Sequence, residues 1–194
     1  MKSIIFNEAM AKAWHEGRKT VTRRPDGLKY VNLRPDLWKY AGIYDGDDDK
    51  FRKYRGWHKF SGENQTRYAR PRYLPGETVY IRETWMQFPG YGNIFYRATD
   101  QDEYDQTSMQ EGYHPWKPSI HTPEWAARSH ARIVSVRAER VQEITEEGAI
   151  LEGFAMTEIG ITARTCFRIT WNHIYPGSWA KNDWVWVIEL EKLP

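Results

Sequence analysis

Trp184-Val185-Trp186-Val187-Ile188-Glu189-Leu190, close to the C-terminus, is the stretch on which the fold turns. Its residues alternate, so Trp184, Trp186, Ile188 and Leu190 share one face of a strand. Immediately upstream, Thr162 caps a helix whose Ala163, Phe167, Trp171 and Ile174 form one stripe, ending at Pro176-Gly177. Before that, Thr145 caps a short helix running through Glu152. Glu146 and Glu147 lie in its favourable first turn, and Gly153 closes it. Ala131–Val141 reads as a further strand. At the other end of the chain, Ser3–Phe6 is a short buried strand. Asn7 and Gly17 then bracket a helix of about ten residues with Met10, Ala13 and Trp14 on its buried side. Pro75-Gly76 turns into a strand over Thr78–Thr84.

Between these segments the sequence changes character. Residues 25–73 and 86–127 are dense in turn formers and read as irregular excursions, the second with a strand near Asn93–Ala98. The expected architecture is therefore α+β: one domain with a small mixed sheet or barrel, about three helices and two loop-rich insertions. The core would comprise residues 1–24, 74–85 and 128–194.

Composition narrows the function classes. The 194 residues hold 10 Trp and 12 Tyr but only 7 Leu, at a net charge of +2, which excludes a disordered chain, a coiled coil and a collagen-like protein. Of the 29 aromatics, 18 lie in the two insertions, whose net charges are +4 and −4. The two loops are accordingly expected to pack together over the core. No apolar run approaches the roughly 18–20 residues of a membrane span, and the N-terminus lacks a signal-peptide core. The single cysteine, Cys166, fits a reducing cytoplasm. With no CxxC, HExxH or close His pair, neither a metal nor another cofactor is expected. Residues 1–75 carry 17 Lys and Arg against 9 Asp and Glu, which points to a basic face and an anionic partner.

Three segments stand out chemically. Gly17-Arg18-Lys19-Thr20-Val21-Thr22-Arg23-Arg24 follows the first helix. Its cations oppose the negative end of the helix dipole, yet it also sets a lysine and two hydroxyls among other cations, where an amine loses its proton more easily and can activate a hydroxyl. Glu152 sits in the last turn of its helix, where the dipole disfavours a carboxylate, so it wants a cation or donor as partner. Residues 50–60, KFRKYRGWHKF, interleave five cations with four aromatics, the chemistry of single-strand nucleic-acid binding or else a two-faced strand. Arg82-Glu83-Thr84-Trp85 and Trp116–His121 also combine polar groups with an indole.

Taken in order, Gly17–Arg23, Pro75–Val79, Ile144–Gly153, Ile174-Tyr175-Pro176-Gly177 and Trp186–Leu190 resemble the ASCH domains, a PUA-like family of small β-barrels associated with RNA. The likeness is to the N4-acetylcytidine amidohydrolase subfamily and to longer phage or prophage ASCH-like proteins. It implies a PUA-like barrel core and a catalytic trio of Lys19, Thr22 and Glu152. In that trio Thr22 would attack an N4-acyl carbonyl on a cytosine, with Lys19 as its base and Glu152 as orienting or proton-handling group. In a simple strand residues 19 and 22 lie on opposite faces, so the trio requires a bend near Thr20. Candidate contacts to a nucleoside, nucleotide or single strand are Arg18, Arg23, Arg24, Arg82, Glu83, Trp85, Lys53, Arg55, Trp57, Ser119 and His121. A non-catalytic RNA- or DNA-binding module is the alternative, with a metal-independent ribonuclease behind it. The chain is expected to act as a cytoplasmic monomer.

Overall fold

A computed structural model describes residues 1–46, 50, 56–90 and 92–194. The main sheet has five strands in the order β1-β6-β9-β10-β2: β1 (Lys2–Ile5), β6 (Thr78–Arg82), β9 (His130–Arg140), β10 (Trp184–Lys192) and β2 (Val21–Arg24). Strands β1 and β6 run parallel and every other pair is antiparallel. The strand β10 is thus interior, with β9 and the edge strand β2 on its flanks. Trp184, Trp186, Ile188 and Leu190 all enter one hydrophobic cluster, as the alternation predicts. Val185 enters a second cluster with Phe167 and Trp171 on the opposite face. Burial on both faces explains why no polar residue interrupts the strand before Glu189.

The expected closed barrel is not what the described residues form. The sheet is open, with β1 and β2 as its edges. It is nevertheless strongly curled. Four inter-strand steps would hold the edges about 19 Å apart in a flat sheet, yet Arg24 at the end of β2 donates to the Ile5 carbonyl of β1 at 2.9 Å. Among the described residues the Arg24 side chain bridges the seam and no backbone ladder pairs β1 with β2.

The helices α1 (Glu8–His15), α3 (Glu146–Leu151) and α4 (Ala163–Ile174) occur where their caps predict them. Asn7, Thr145 and Thr162 each accept a backbone N–H in the first turn. Two more helices raise the expected three to five. α2 (Gln101–Glu111) buries only Tyr104 and has no apolar stripe to read, and α5 (Ser178–Lys181) is a single turn after Pro176-Gly177.

The insertions are more ordered than their composition predicts. The first contains an antiparallel meander of β3 (Lys39–Ile43), β4 (His58–Ser61) and β5 (Thr66–Ala69). Its Trp38 and Phe60 share the main cluster with Trp184 and Trp186. The second pairs β7 (Trp85–Met86) with β8 (Phe95–Tyr96) and builds its own cluster from Met86, Phe88, Phe95 and Tyr104. The charge complementarity led us to expect the insertions packed on each other. Among the described residues the first builds into the main cluster, while the second touches that cluster through Ala98 and otherwise forms clusters of its own.

Candidate functional site

The segment Arg18–Thr20 is stitched between two helix ends. Lys19 N–H donates back to Ala13 of α1, Thr20 N–H donates to Leu151 of α3, and Arg18 reaches the Gly153 carbonyl. These donors fill carbonyls left open at helix C-termini. The cations thus do serve a helix dipole, and the helix they serve most directly is α3. Gly153 permits the approach. It has φ +97°, and a Cβ there would meet Ala13 Cβ at 2.8 Å and Lys19 Cβ at 3.3 Å.

Lys19 and Glu152 meet directly. Lys19 Nζ donates to Glu152 Oε2 at 2.9 Å, to the Glu152 carbonyl at 2.8 Å and to the Val21 carbonyl at 2.7 Å. Three acceptors use all three N–H groups of an ammonium. The ammonium also lies 5.0 Å from the centroid of the Phe6 ring. Both side chains are buried, at 0% and 3% exposure. Burial pushes the Lys19 amine below its ordinary value of 10.5; the Glu152 charge opposes that shift, and Arg24 and Arg23 add to it. The other Glu152 oxygen faces Arg23 Nη1 at 3.3 Å, and Arg23 also binds Glu139 through Nε at 2.8 Å. The cluster is therefore charge-balanced, with two cations facing two carboxylates. Gly148 leaves space for the guanidinium, since a Cβ would stand 3.2 Å from Arg23 Nη2.

Thr22 is buried as well, at 1% exposure, but it is paired with Ile188 on the sheet face opposite Arg23. No hydrogen bond ties its hydroxyl to Lys19 or Glu152. The chain between them does bend, since Lys19 and Thr20 precede β2 and the lysine curls back onto the Val21 carbonyl. That bend brings Lys19 to Glu152 and leaves Thr22 apart.

A cleft lies along the free edge of β1. Its wide end has a volume of about 350 Å³ and is lined by Ser3, Asn7, Arg24, Arg72, Tyr73, Arg82 and Tyr175. Its narrow end, about 10 Å³, has room for one water and is lined by Arg23, Glu152, Phe154, Phe167 and Trp171. Met10, Arg24, Ile174 and Tyr175 line both, so the two spaces adjoin, with these side chains between the mouth and Glu152. Arg72 and Tyr73, from the first insertion, were not singled out by the sequence. A basic residue beside an aromatic was the available signal, though the chain holds many such pairs.

The remaining candidates stand elsewhere. Arg18 is exposed and paired with Glu16 and the Gly153 carbonyl. Glu83 is buried and occupied by Arg128 (2.9 and 2.7 Å) and His15 (3.1 Å). Burial alone would raise its carboxyl, but the bonds from His15 and Arg128 hold it below 4.5. Trp85 packs edge-on against Trp125 under the Lys117 ammonium. Ser119 and His121 form a 3-10 turn of the second insertion, and none of these five lines the cleft. Trp57 is half-buried just before β4, while Lys53 and Arg55, with the rest of 51–55, lie outside the described residues. Among the described residues no cluster of His, Cys, Asp and Glu is arranged to hold a metal, and no helix is long and apolar enough to cross a membrane.

Fold and site together define an α+β protein in which a curled, open sheet holds a buried lysine–glutamate pair at the closed end of an arginine-lined cleft. Comparison with protein-family models, curated proteins and solved structures gives no significant match.

Proposed function

We propose that this chain is an ASCH-type, PUA-like protein that takes a cytosine derivative into the seam cleft and hydrolyses an N4-acyl amide at the Lys19–Glu152 end. The observation that carries the reading is the 2.9 Å contact between two fully buried side chains of opposite charge, one of which opens onto the cleft. Low dielectric makes proton transfer from Lys19 Nζ to Glu152 Oε2 inexpensive, because both groups become neutral. The neutral amine then takes a proton from the attacking hydroxyl, and the protonated Glu152 delivers its proton to the departing N4 amine. The acyl group enters by displacing side chains such as Phe154 or Met10 at the narrow end. Thr22 is the nucleophile that the resemblance implies. A water beside Glu152 is the alternative nucleophile, supported by the one-water volume there.

The test is release of cytidine from N4-acetylcytidine, with folding of each variant checked by circular dichroism. Lys19→Met and Glu152→Gln are each expected to lower kcat/KM by about 100-fold or more. Thr22→Ala abolishes turnover if Thr22 attacks and spares it if water does. Absence of turnover on N4-acylated cytosines, or turnover indifferent to K19M, refutes the hydrolase. Retained cytosine binding without turnover would then favour the second reading, a non-catalytic nucleotide- or RNA-binding module, which the arginines of the cleft support.

A further inference from the structure

The wide end of the cleft has an electrostatic character that hydrolysis of a neutral nucleoside does not require. Arg24, Arg72 and Arg82 line it, against one carboxylate, Asp26. Arginines elsewhere in the molecule are largely paired with acids, as in Arg18–Glu16, Arg97–Glu8, Arg128–Glu83, Arg132–Glu191 and Arg137–Glu189. Among the described residues none of the three cleft arginines makes an ion pair. Arg24 spends one N–H on the Ile5 carbonyl, and Arg72 lies against the Tyr73 ring with its centroid 5.6 Å away. Arg82 Nε is buried without a hydrogen-bond partner. A buried donor left unpaired is costly unless something supplies the acceptor. Three guanidiniums from β2, β6 and the first insertion, facing about 350 Å³ with a single carboxylate among them, are built for an anion with several oxygens.

We infer that the wide end of the seam cleft is a phosphate subsite. The ligand whose base points toward Glu152 is then a nucleotide, with its phosphate either a terminal monoester or the diester of a strand, and is not a free nucleoside. The identity of the base rests on the function proposed above; the phosphate does not. The two ends adjoin at Arg24 and Tyr175, so a base directed toward Glu152 leaves sugar and phosphate on the mouth side. Arg72 belongs to the first insertion, so that insertion selects for the charged form of the substrate.

Calorimetric titration of the whole protein with cytidine, cytidine 5′-monophosphate, a cytidylyl dinucleoside monophosphate and inorganic phosphate tests this. The monophosphate should bind at least about tenfold more tightly than cytidine, and added salt should weaken it selectively. That ratio should shrink by roughly tenfold in Arg72→Gln, whose parent side chain is exposed and touches only a ring, and again in Arg82→Gln. It should be unchanged in Arg132→Gln, an exposed arginine of β9 that pairs with Glu191 and does not line the cleft. Tighter binding of the dinucleoside than of the monophosphate assigns the phosphate to a strand; the reverse order assigns it to a free nucleotide. Equal affinity for cytidine and its monophosphate, or a ratio indifferent to both R72Q and R82Q, overturns the subsite. Binding of inorganic phosphate, weakened by R72Q, with no preference for cytosine ligands upholds the subsite while removing the base assignment. No binding of any of the four removes both.

Discussion

At the scale of single residues, the most expensive arrangement in the molecule is Lys19 beside Glu152. Removing two charges from water costs several kcal/mol each, and it is offset here by three donor–acceptor bonds from one ammonium and by Arg23 on the second carboxylate oxygen. Breaking one half leaves an uncompensated buried charge. K19M and E152Q are each expected to lower unfolding free energy by about 3 kcal/mol, and the double variant by clearly less than the sum. Urea denaturation of the four proteins measures that coupling, and strict additivity would contradict a direct pair. Each member of this pair is conspicuous in the sequence. A carboxylate at a helix C-terminus calls for a cation or donor, and a lysine among other cations loses its proton more easily, but neither signal names the other residue as its partner. Thr22 shows the limit of such reasoning. Its spacing from Lys19 sets the two on opposite faces of a simple strand, and the bend that the trio requires does occur but leaves Thr22 paired with Ile188, away from Glu152.

At the scale of elements, the caps were readable because an N-cap is a local bargain between one side chain and one or two N–H groups. Asn7, Thr145 and Thr162 make those bonds as expected. Helix α2 was not readable, since only Tyr104 is buried along it, and the meander β3–β5 was hidden among turn formers whose partners are strands rather than neighbours in sequence. Closure of the barrel was also beyond reach, because it depends on whether two edges four strands apart pair, and among the described residues the Arg24 side chain bridges them without a backbone ladder. The junction that matters most for the site is where α3 ends. Gly153 turns the chain with φ +97° and leaves its missing Cβ position against Ala13 and Lys19. Gly153→Ala should destabilise the fold by about 2 kcal/mol through backbone strain and the clash, and should also push Lys19 away from Glu152. A thermal melt paired with the hydrolysis assay separates the two effects: the rate should fall at temperatures where the variant is still fully folded. A variant with unchanged stability would show that this contact carries no strain.

At the scale of the whole molecule, the first insertion is a structural part of the core rather than a covering loop. Phe60 packs at 5.3 Å from Trp184, and His58 at 4.6 Å from Trp186, so the aromatic excess noted in the composition is spent on the inner face of β10. The second insertion is closed at its base. There the buried Glu83 just before it pairs with Arg128 just after it and with His15, while Arg128 donates to Thr99 and Thr122 donates to the Glu83 carbonyl. These two attachments respond to acid in separate windows. Burial of His58, whose Nδ1 meets the Tyr40 hydroxyl at 2.8 Å, pushes its imidazole below 6.5. The unfolded chain then binds the proton first, so stability is fully present above pH 6.5 and falls as pH drops toward the folded value. The slope in that window approaches, at most, about 1.4 kcal/mol per pH unit. Glu83 follows the same direction in a lower window. Its carboxyl is held below 4.5 in the fold, so its contribution is lost only as pH falls below that value. Urea midpoints measured at pH 8, 6.5 and 5.5 should therefore decline for the native protein, and the decline should flatten in His58→Phe, which keeps an aromatic ring against Trp186 but cannot titrate. An identical decline in the variant would place the acid-sensitive group outside the first insertion.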